Sequence, residues 1–549
     1  MKYEKKLVLF TLFAMNLVDE PAPEVKIEQG ILTGITSSDG SFFEYIGIPY
    51  ATTNSTTRFK APLPPPSWPG VLKATRLYNC PQPTPFGWGS TEDCLKINVY
   101  VPARPKTEIP LPVMLYIHGG AFFLGTGGKM MHAPNFLILH DVIVATFAYR
   151  LGVFGFTCLG IPEAPGNAGL KDQLAALRWV KKNIAAFGGD PDNVTIFGES
   201  AGATSAAILV ASNLTDGLFH KAIMISGSSI ANWSINREPT YSASLVAKQL
   251  GYNTSNPKEL YDIFSEIQLN ELVMYLERAR RSKYYETQML HLPCVEKYFP
   301  GEESIVPELP YNAITRNPKN IPLMYGTTSH EGLYLISVLN EERMKINDAN
   351  YLFSSDLEMS TEDEAERVSA EIRNHYFGTK KMSKNTIMNI SAHLGDLYFV
   401  MPALLETEIM LEKRDAPTYN YVFDYIGGRN YVKNWVTGYG DAPGASHGDT
   451  NLYLFHGNKW PFPISKRDQK MIDIMTKMWT NFAKYGNPTP EPNNFSFKWT
   501  PSTKDKLNFL YIRDKSEMGP IPNIKSYKLW KSIYDKYRRK KIEPSLDIF

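Results

Sequence analysis

The chain has 549 residues, 43% of them hydrophobic and 12% aromatic, with a formal net charge of only +2. That length can bury a sizeable core, and the near-neutral balance argues against a dedicated nucleic-acid partner. No Pro-, Ser- or Gly-rich linker, repeat or low-complexity tract divides it, so one large domain over 19–549 is expected. At the amino terminus Lys2, Lys5 and Lys6 precede the apolar run Leu7–Val18. This reads as a secretory signal peptide over 1–18 and is short for a membrane span. Cytoplasmic residence is the alternative if the run is not a signal.

The cluster Pro62-Leu63-Pro64-Pro65-Pro66-Ser67-Trp68-Pro69 reads as a surface crossing, not a domain boundary. Next, Val113–Ile117 reads as an apolar strand running into His118-Gly119-Gly120-Ala121-Phe122. Small residues there let backbone N–H groups converge on one point without intervening side chains. The amides of Gly120 and Ala121 are the expected oxyanion donors, with Gly119 shaping the turn or donating as well.

Val194-Thr195-Ile196-Phe197 is a further buried strand and ends in Gly198-Glu199-Ser200-Ala201-Gly202. Gly-x-Ser-x-Gly between a strand and the apolar helix Ala201–Val210 is the pattern of a nucleophile elbow. The turn pushes the Ser200 hydroxyl out at the carboxyl end of a sheet, and the Ala201 amide joins the oxyanion donors. A serine hydroxyl needs a base, and the base needs an acid to orient it. In this arrangement the chain order is Ser, then Asp or Glu, then His.

Ile321–Gly326 reads as a strand, with Thr327-Thr328-Ser329-His330-Glu331-Gly332 as its loop, and Glu331 is the expected acid. His330 is a decoy, because adjacent loop residues rarely point the same way. Tyr419–Tyr425 reads as a later strand, and the small-residue loop Gly444-Ala445-Ser446-His447-Gly448-Asp449 after it supplies His447 as the base.

Seven Asn-x-Ser/Thr sequons occur. Glycosylation is expected at Asn54, Asn213, Asn232, Asn253, Asn389 and Asn494, and least at Asn193 beside the elbow strand. Four cysteines allow three pairings. No zinc-type spacing occurs, and Gly125-Thr126-Gly127-Gly128 lacks the Lys-Ser/Thr ending of a phosphate loop, so neither metal nor cofactor is expected. Lys536–Lys541 reads as a solvated terminal helix or tail, and Ser545-Leu546-Asp547-Ile548-Phe549 carries no anchor pattern.

In combination these motifs resemble the carboxylesterase/cholinesterase (type-B esterase) family over roughly Gly30 to Asn487. Gly47-Ile48-Pro49-Tyr50-Ala51, Glu92-Asp93-Cys94-Leu95, Asn167-Ala168-Gly169-Leu170, Phe187-Gly188-Gly189-Asp190-Pro191 and Trp479-Thr480-Asn481-Phe482 strengthen the likeness. The resemblance implies an α/β-hydrolase fold: a large, mostly parallel sheet, helices on both faces and a gorge-like active site. It implies that Ser226 sits behind the triad, that Glu199 stabilises the histidinium, and that Glu92 and Arg150 form a structural ion pair. It also implies a Cys80–Cys94 disulfide, which leaves Cys158 and Cys294 unpaired, with Cys158 in the core.

The activity implied is hydrolysis of small esters through an acyl-enzyme, most like that of secreted insect carboxylesterases. A juvenile-hormone-type esterase is the alternative, although those enzymes usually show Gln where this chain has Glu199. A non-catalytic adhesion member is disfavoured because Ser200, Glu331 and His447 are all present. Acyl- and alcohol-pocket residues are expected within 280–300 and 395–410.

Overall fold

Side chains along the strand Leu111–Ile117 alternate between two cores: Val113, Leu115 and Ile117 pack into one, Met114 and Tyr116 into the other. A strand buried on both faces reads as a continuous apolar run because a sheet lies between two helical layers. The computed structural model describes residues 20–83, 89–280, 290–337, 339–341, 344, 351–458 and 463–541. The expected signal peptide lies outside these residues.

In chain order the strands are β1 Val25–Ile27, β2 Gly30–Thr33, β3 Ile35–Thr36, β4 Phe42–Pro49, β5 Val71–Lys73, β6 Lys96–Pro102 and β7 Leu111–Ile117. They continue with β8 Ile143–Phe147, β9 Gly189–Glu199, β10 Lys221–Ile225, β11 Leu323–Thr328, β12 Thr418–Phe423, β13 Phe509–Ile512 and β14 Glu517–Gly519. An 11-stranded sheet runs β14-β13-β12-β11-β10-β9-β7-β8-β6-β4-β3, and β1, β2 and β5 form a small second sheet. Pairing is parallel from β8 through β13 and antiparallel at both margins. The fold is that of the α/β-hydrolases.

Helices cover both faces. The helix Lys466–Tyr485 packs Met471, Met475, Met478, Trp479 and Phe482 against the Met114 and Tyr116 side. Ala201–Ala211 and Ala168–Asn183 cover the other side. In such a sheet the loops leaving the carboxyl ends of neighbouring parallel strands converge. Here these are the loops after β7, β9, β10, β11 and β12, which carry in turn the expected oxyanion turn, Ser200, Ser226, Glu331 and His447. Among the described residues no helix is long and apolar enough to cross a membrane.

Candidate active site

Ser200 sits between β9 and the helix Ala201–Ala211 with φ 58° and ψ −125°, outside the usual regions for a side-chain-bearing residue. Such a conformation costs on the order of 1–3 kcal/mol and persists only where the surroundings hold it. They do so here. Ser200 N donates to Ile225 O at 2.9 Å, and Thr204 N donates to Ser200 O at 2.9 Å. The flanking glycines let the helix close on the sheet: a Cβ at Gly202 would lie 2.0 Å from Ile117 O, and one at Gly198 would lie 2.4 Å from Gly202 C.

The expected acid and base, Glu331 and His447, are in contact. His447 Nδ1 lies 2.7 Å from Glu331 Oε2. The other carboxylate oxygen, Oε1, accepts from Ser226 Oγ at 2.6 Å and from Thr328 N at 2.6 Å. Glu331 is 1% exposed and His447 6% exposed, so neither shares this contact with bulk water. On its other side His447 Nε2 lies 3.2 Å from Glu199 Oε1. Burial opposes a charged imidazole, but Glu199 and then Glu331 outweigh it and hold the His447 pKa above the ordinary imidazole value. Burial likewise raises the Glu199 carboxyl, with His447 opposing.

After β7 the chain makes the small-residue turn. Gly120, Ala121 and Phe122 have φ of 110°, 55° and 58°, and Phe123 N and Leu124 N both donate to Gly120 O at 3.0 Å. The turn lies against the elbow: a Cβ at Gly119 would sit 2.5 Å from Glu199 O and 3.1 Å from Ser200 Cβ. Gly119 therefore borders Ser200, as Ala201 does from the next position in the chain, and Gly120 and Ala121 continue the turn from Gly119. An aromatic wall completes the site. Phe399 stacks on the His447 ring at 4.2 Å, Trp233 meets Phe399 edge-on at 5.8 Å, and Phe122 lies 6.4 Å from Trp233.

The profile of the Carboxylesterase family matches residues 21–530. Esterase FE4 of Myzus persicae is 32% identical over 526 residues, 89% of this chain and 88% of that protein. Juvenile hormone esterase of Heliothis virescens is 33% identical over 511 residues, 86% of this chain and 87% of that one. The solved juvenile hormone esterase from Manduca sexta superposes with a TM-score of 0.83 at 28% identity, covering 94% of this chain and 100% of its own. The chain belongs to the carboxylesterase family. Its enzyme class is carboxylic ester hydrolase.

Two expectations for this carboxylesterase are corrected by the structure. Cys158 and Cys294 are not unpaired: they form a second disulfide across 136 residues, beside Cys80–Cys94. Gly166, at φ 112°, makes room for it, since a Cβ there would lie 2.6 and 2.7 Å from the two sulfurs. Asn167 reinforces the junction, its side chain bonding both Cys294 N and Cys294 O at 2.8 Å. Nor do Glu92 and Arg150 pair. Arg58 takes Glu92, whereas buried Arg150 takes Asp172 and spends its remaining donors on the carbonyls of Thr57, Arg58, Lys60 and Ala168. Asp172 is the better partner because it lies on the helix behind Arg150 and is equally buried.

His330 turns its Nδ1 to Ser329 Oγ at 3.1 Å, and its backbone N–H donates to Ala445 O at 2.9 Å. Thr327 and Thr328 belong to the end of β11, which places the Thr328 amide on Glu331. Sequence reasoning did not pick out Asp449 or Lys433. Asp449 accepts from Ser446 N at 2.7 Å and Lys433 N at 3.1 Å, Lys433 Nζ donates to Gly444 O at 2.9 Å, and together they hold the His447 loop. Burial pushes the Asp449 carboxyl up to about 7. Its position two residues after His447 was the available signal. Phe399 falls inside the expected pocket segment 395–410, while 281–289 lie outside the described residues.

Proposed function

We propose that this protein is a serine carboxylic-ester hydrolase that works through an acyl-enzyme on small, largely apolar esters. His447 takes the proton of Ser200, whose oxygen attacks the ester carbonyl. The amides of Gly120, Ala121 and Ala201, with Gly119 able to join them, stabilise the developing oxyanion. His447 then protonates the leaving alcohol and later activates water against the acyl-enzyme. Glu331, braced by Ser226, holds the tautomer throughout, and Glu199 stabilises the imidazolium.

The reading rests above all on the 2.7 Å contact between His447 Nδ1 and Glu331 Oε2, with His447 Nε2 3.2 Å from Glu199 Oε1, next in the chain to a strained Ser200. The apolar preference rests on the run of rings that starts with Phe399 on His447 and continues through Trp233 to Phe122. A juvenile-hormone-type substrate is the second reading, favoured by the likeness to the Manduca sexta enzyme and opposed by Glu199.

We further infer one domain over 19–549 and secretion after loss of residues 1–18, and the two disulfides fit an oxidising compartment. Of the candidate glycosylation sites, Asn54, Asn213, Asn253 and Asn494 are exposed. Asn389 is exposed as well, although its Nδ2 donates to Tyr376 O at 2.8 Å, and Asn232 is half-buried.

The test is turnover of p-nitrophenyl esters from acetate to decanoate, with Ser200→Ala in parallel. Turnover should vanish in the variant, and the chain-length profile sizes the acyl pocket. Full activity in Ser200→Ala would refute the scheme.

A further inference from the structure

Gln82 is buried at 0% exposure and uses its whole amide on backbone. Its Oε1 accepts from Gly125 N at 2.7 Å, and its Nε2 donates to Gly125 O at 2.8 Å and to Cys80 O at 3.1 Å. Two opposed hydrogen bonds to one peptide-flanking residue fix its position and its orientation together. A side chain also holds the next residue: Thr126 Oγ1 donates to Asn79 Oδ1 at 2.7 Å. Gln82 itself is anchored, since it follows Cys80 inside the loop closed by Cys80–Cys94.

Gly125 is the return end of the turn that begins at Gly119. With φ 136°, its α-carbon packs where a Cβ would lie 2.3 Å from His118 Nδ1 and 2.4 Å from Gly119 O. His118 Nδ1 in turn lies 2.9 Å from Gly119 O. The turn closes on itself through Leu124 N to Gly120 O. A shift at Gly125 is therefore passed directly to the peptides of Gly119 and Gly120.

We propose that Gln82 is a positioning residue for ester hydrolysis: it clamps the far end of the turn that carries the oxyanion donors and so sets where those amides point. The proposal rests on the esterase reading above. Oxyanion donors act only when aimed at the oxygen's position in the transition state, and small misplacements far from the reacting atoms are costly. The defect should fall on the chemical step and leave ground-state binding intact.

Gln82→Met keeps the volume and removes both bonds to Gly125. Its kcat, counted per organophosphate-labelled Ser200, should fall about ten- to hundredfold. KM should change by less than about twofold. Affinity for a trifluoromethyl ketone, which forms a tetrahedral oxyanion on serine, should fall in proportion to kcat/KM, and amide exchange at 119–125 should quicken.

Gln82→Glu keeps the acceptor for Gly125 N but not the donor to Gly125 O, so it should show a partial loss; it also serves if the Met variant does not fold. Wild-type kcat, ketone affinity and exchange in a folded variant would overturn the clamp. Wild-type protein that hydrolyses no ester would refute the esterase reading instead, and exchange at 119–125 would still decide the clamp.

Discussion

Replacing Glu331 by Gln should nearly abolish turnover without unfolding the protein, and the hydrogen bonds around it say why. Glu331 Oε1 faces two donors, Ser226 Oγ at 2.6 Å and Thr328 N at 2.6 Å, while among the described residues Oε2 faces only His447 Nδ1 at 2.7 Å. A glutamine can offer an oxygen to one side and an NH₂ group to the other. Turning the NH₂ toward Ser226 and Thr328 sets it against a backbone N–H that cannot become an acceptor. That leaves a buried donor unsatisfied, at a cost of about 1–3 kcal/mol.

The amide will therefore present its oxygen to Ser226 and Thr328 and its NH₂ to His447. Nδ1 must then accept, the proton moves to Nε2, and the imidazole can no longer take a proton from Ser200. In serine hydrolases the wrong tautomer costs about ten-thousandfold in kcat. That is about 5 kcal/mol in the barrier. The assay is kcat on a p-nitrophenyl ester above the histidine titration, with circular dichroism confirming the fold. A variant retaining kcat within tenfold of wild type would refute the argument from donor count.

Glu199→Gln removes a carboxylate 3.2 Å from His447 Nε2. A negative neighbour favours the imidazolium, so its loss should lower the His447 pKa and move the acidic limb of kcat/KM to lower pH; a shift to higher pH would contradict that sign. On the chain-entropy account, the disulfide spanning 136 residues should stabilise by about 5 kcal/mol and the one spanning 14 by about 3 kcal/mol. Thermal inactivation half-lives of Cys158→Ala/Cys294→Ala and Cys80→Ala/Cys94→Ala should accordingly rank the long-range pair as the more damaging loss, and the reverse ranking would refute the estimate.

The elbow was legible because its cause is local. Gly198 and Gly202 flank a residue whose backbone must turn sharply, and an apolar strand and helix adjoin them. The other site residues were legible because each follows a strand, and consecutive parallel strands deliver their loops to one edge. Boundaries shifted where hydrogen bonding continued past the apolar run, as at Thr327 and Thr328 on β11.

The placement of Ser200, Glu331 and His447 in chain order was thus readable from residue types and strand periodicity, both properties of neighbours along the chain. Partnerships between distant buried groups were not. Arg150 prefers Asp172 to Glu92, Cys158 finds Cys294 across 136 residues, and Gln82 reaches Gly125, because each choice depends on which groups share a water-free space. Burial makes an unpartnered charge or amide expensive, so the partner selected is whichever one folding brings within reach, and spacing in the chain says little about which that will be.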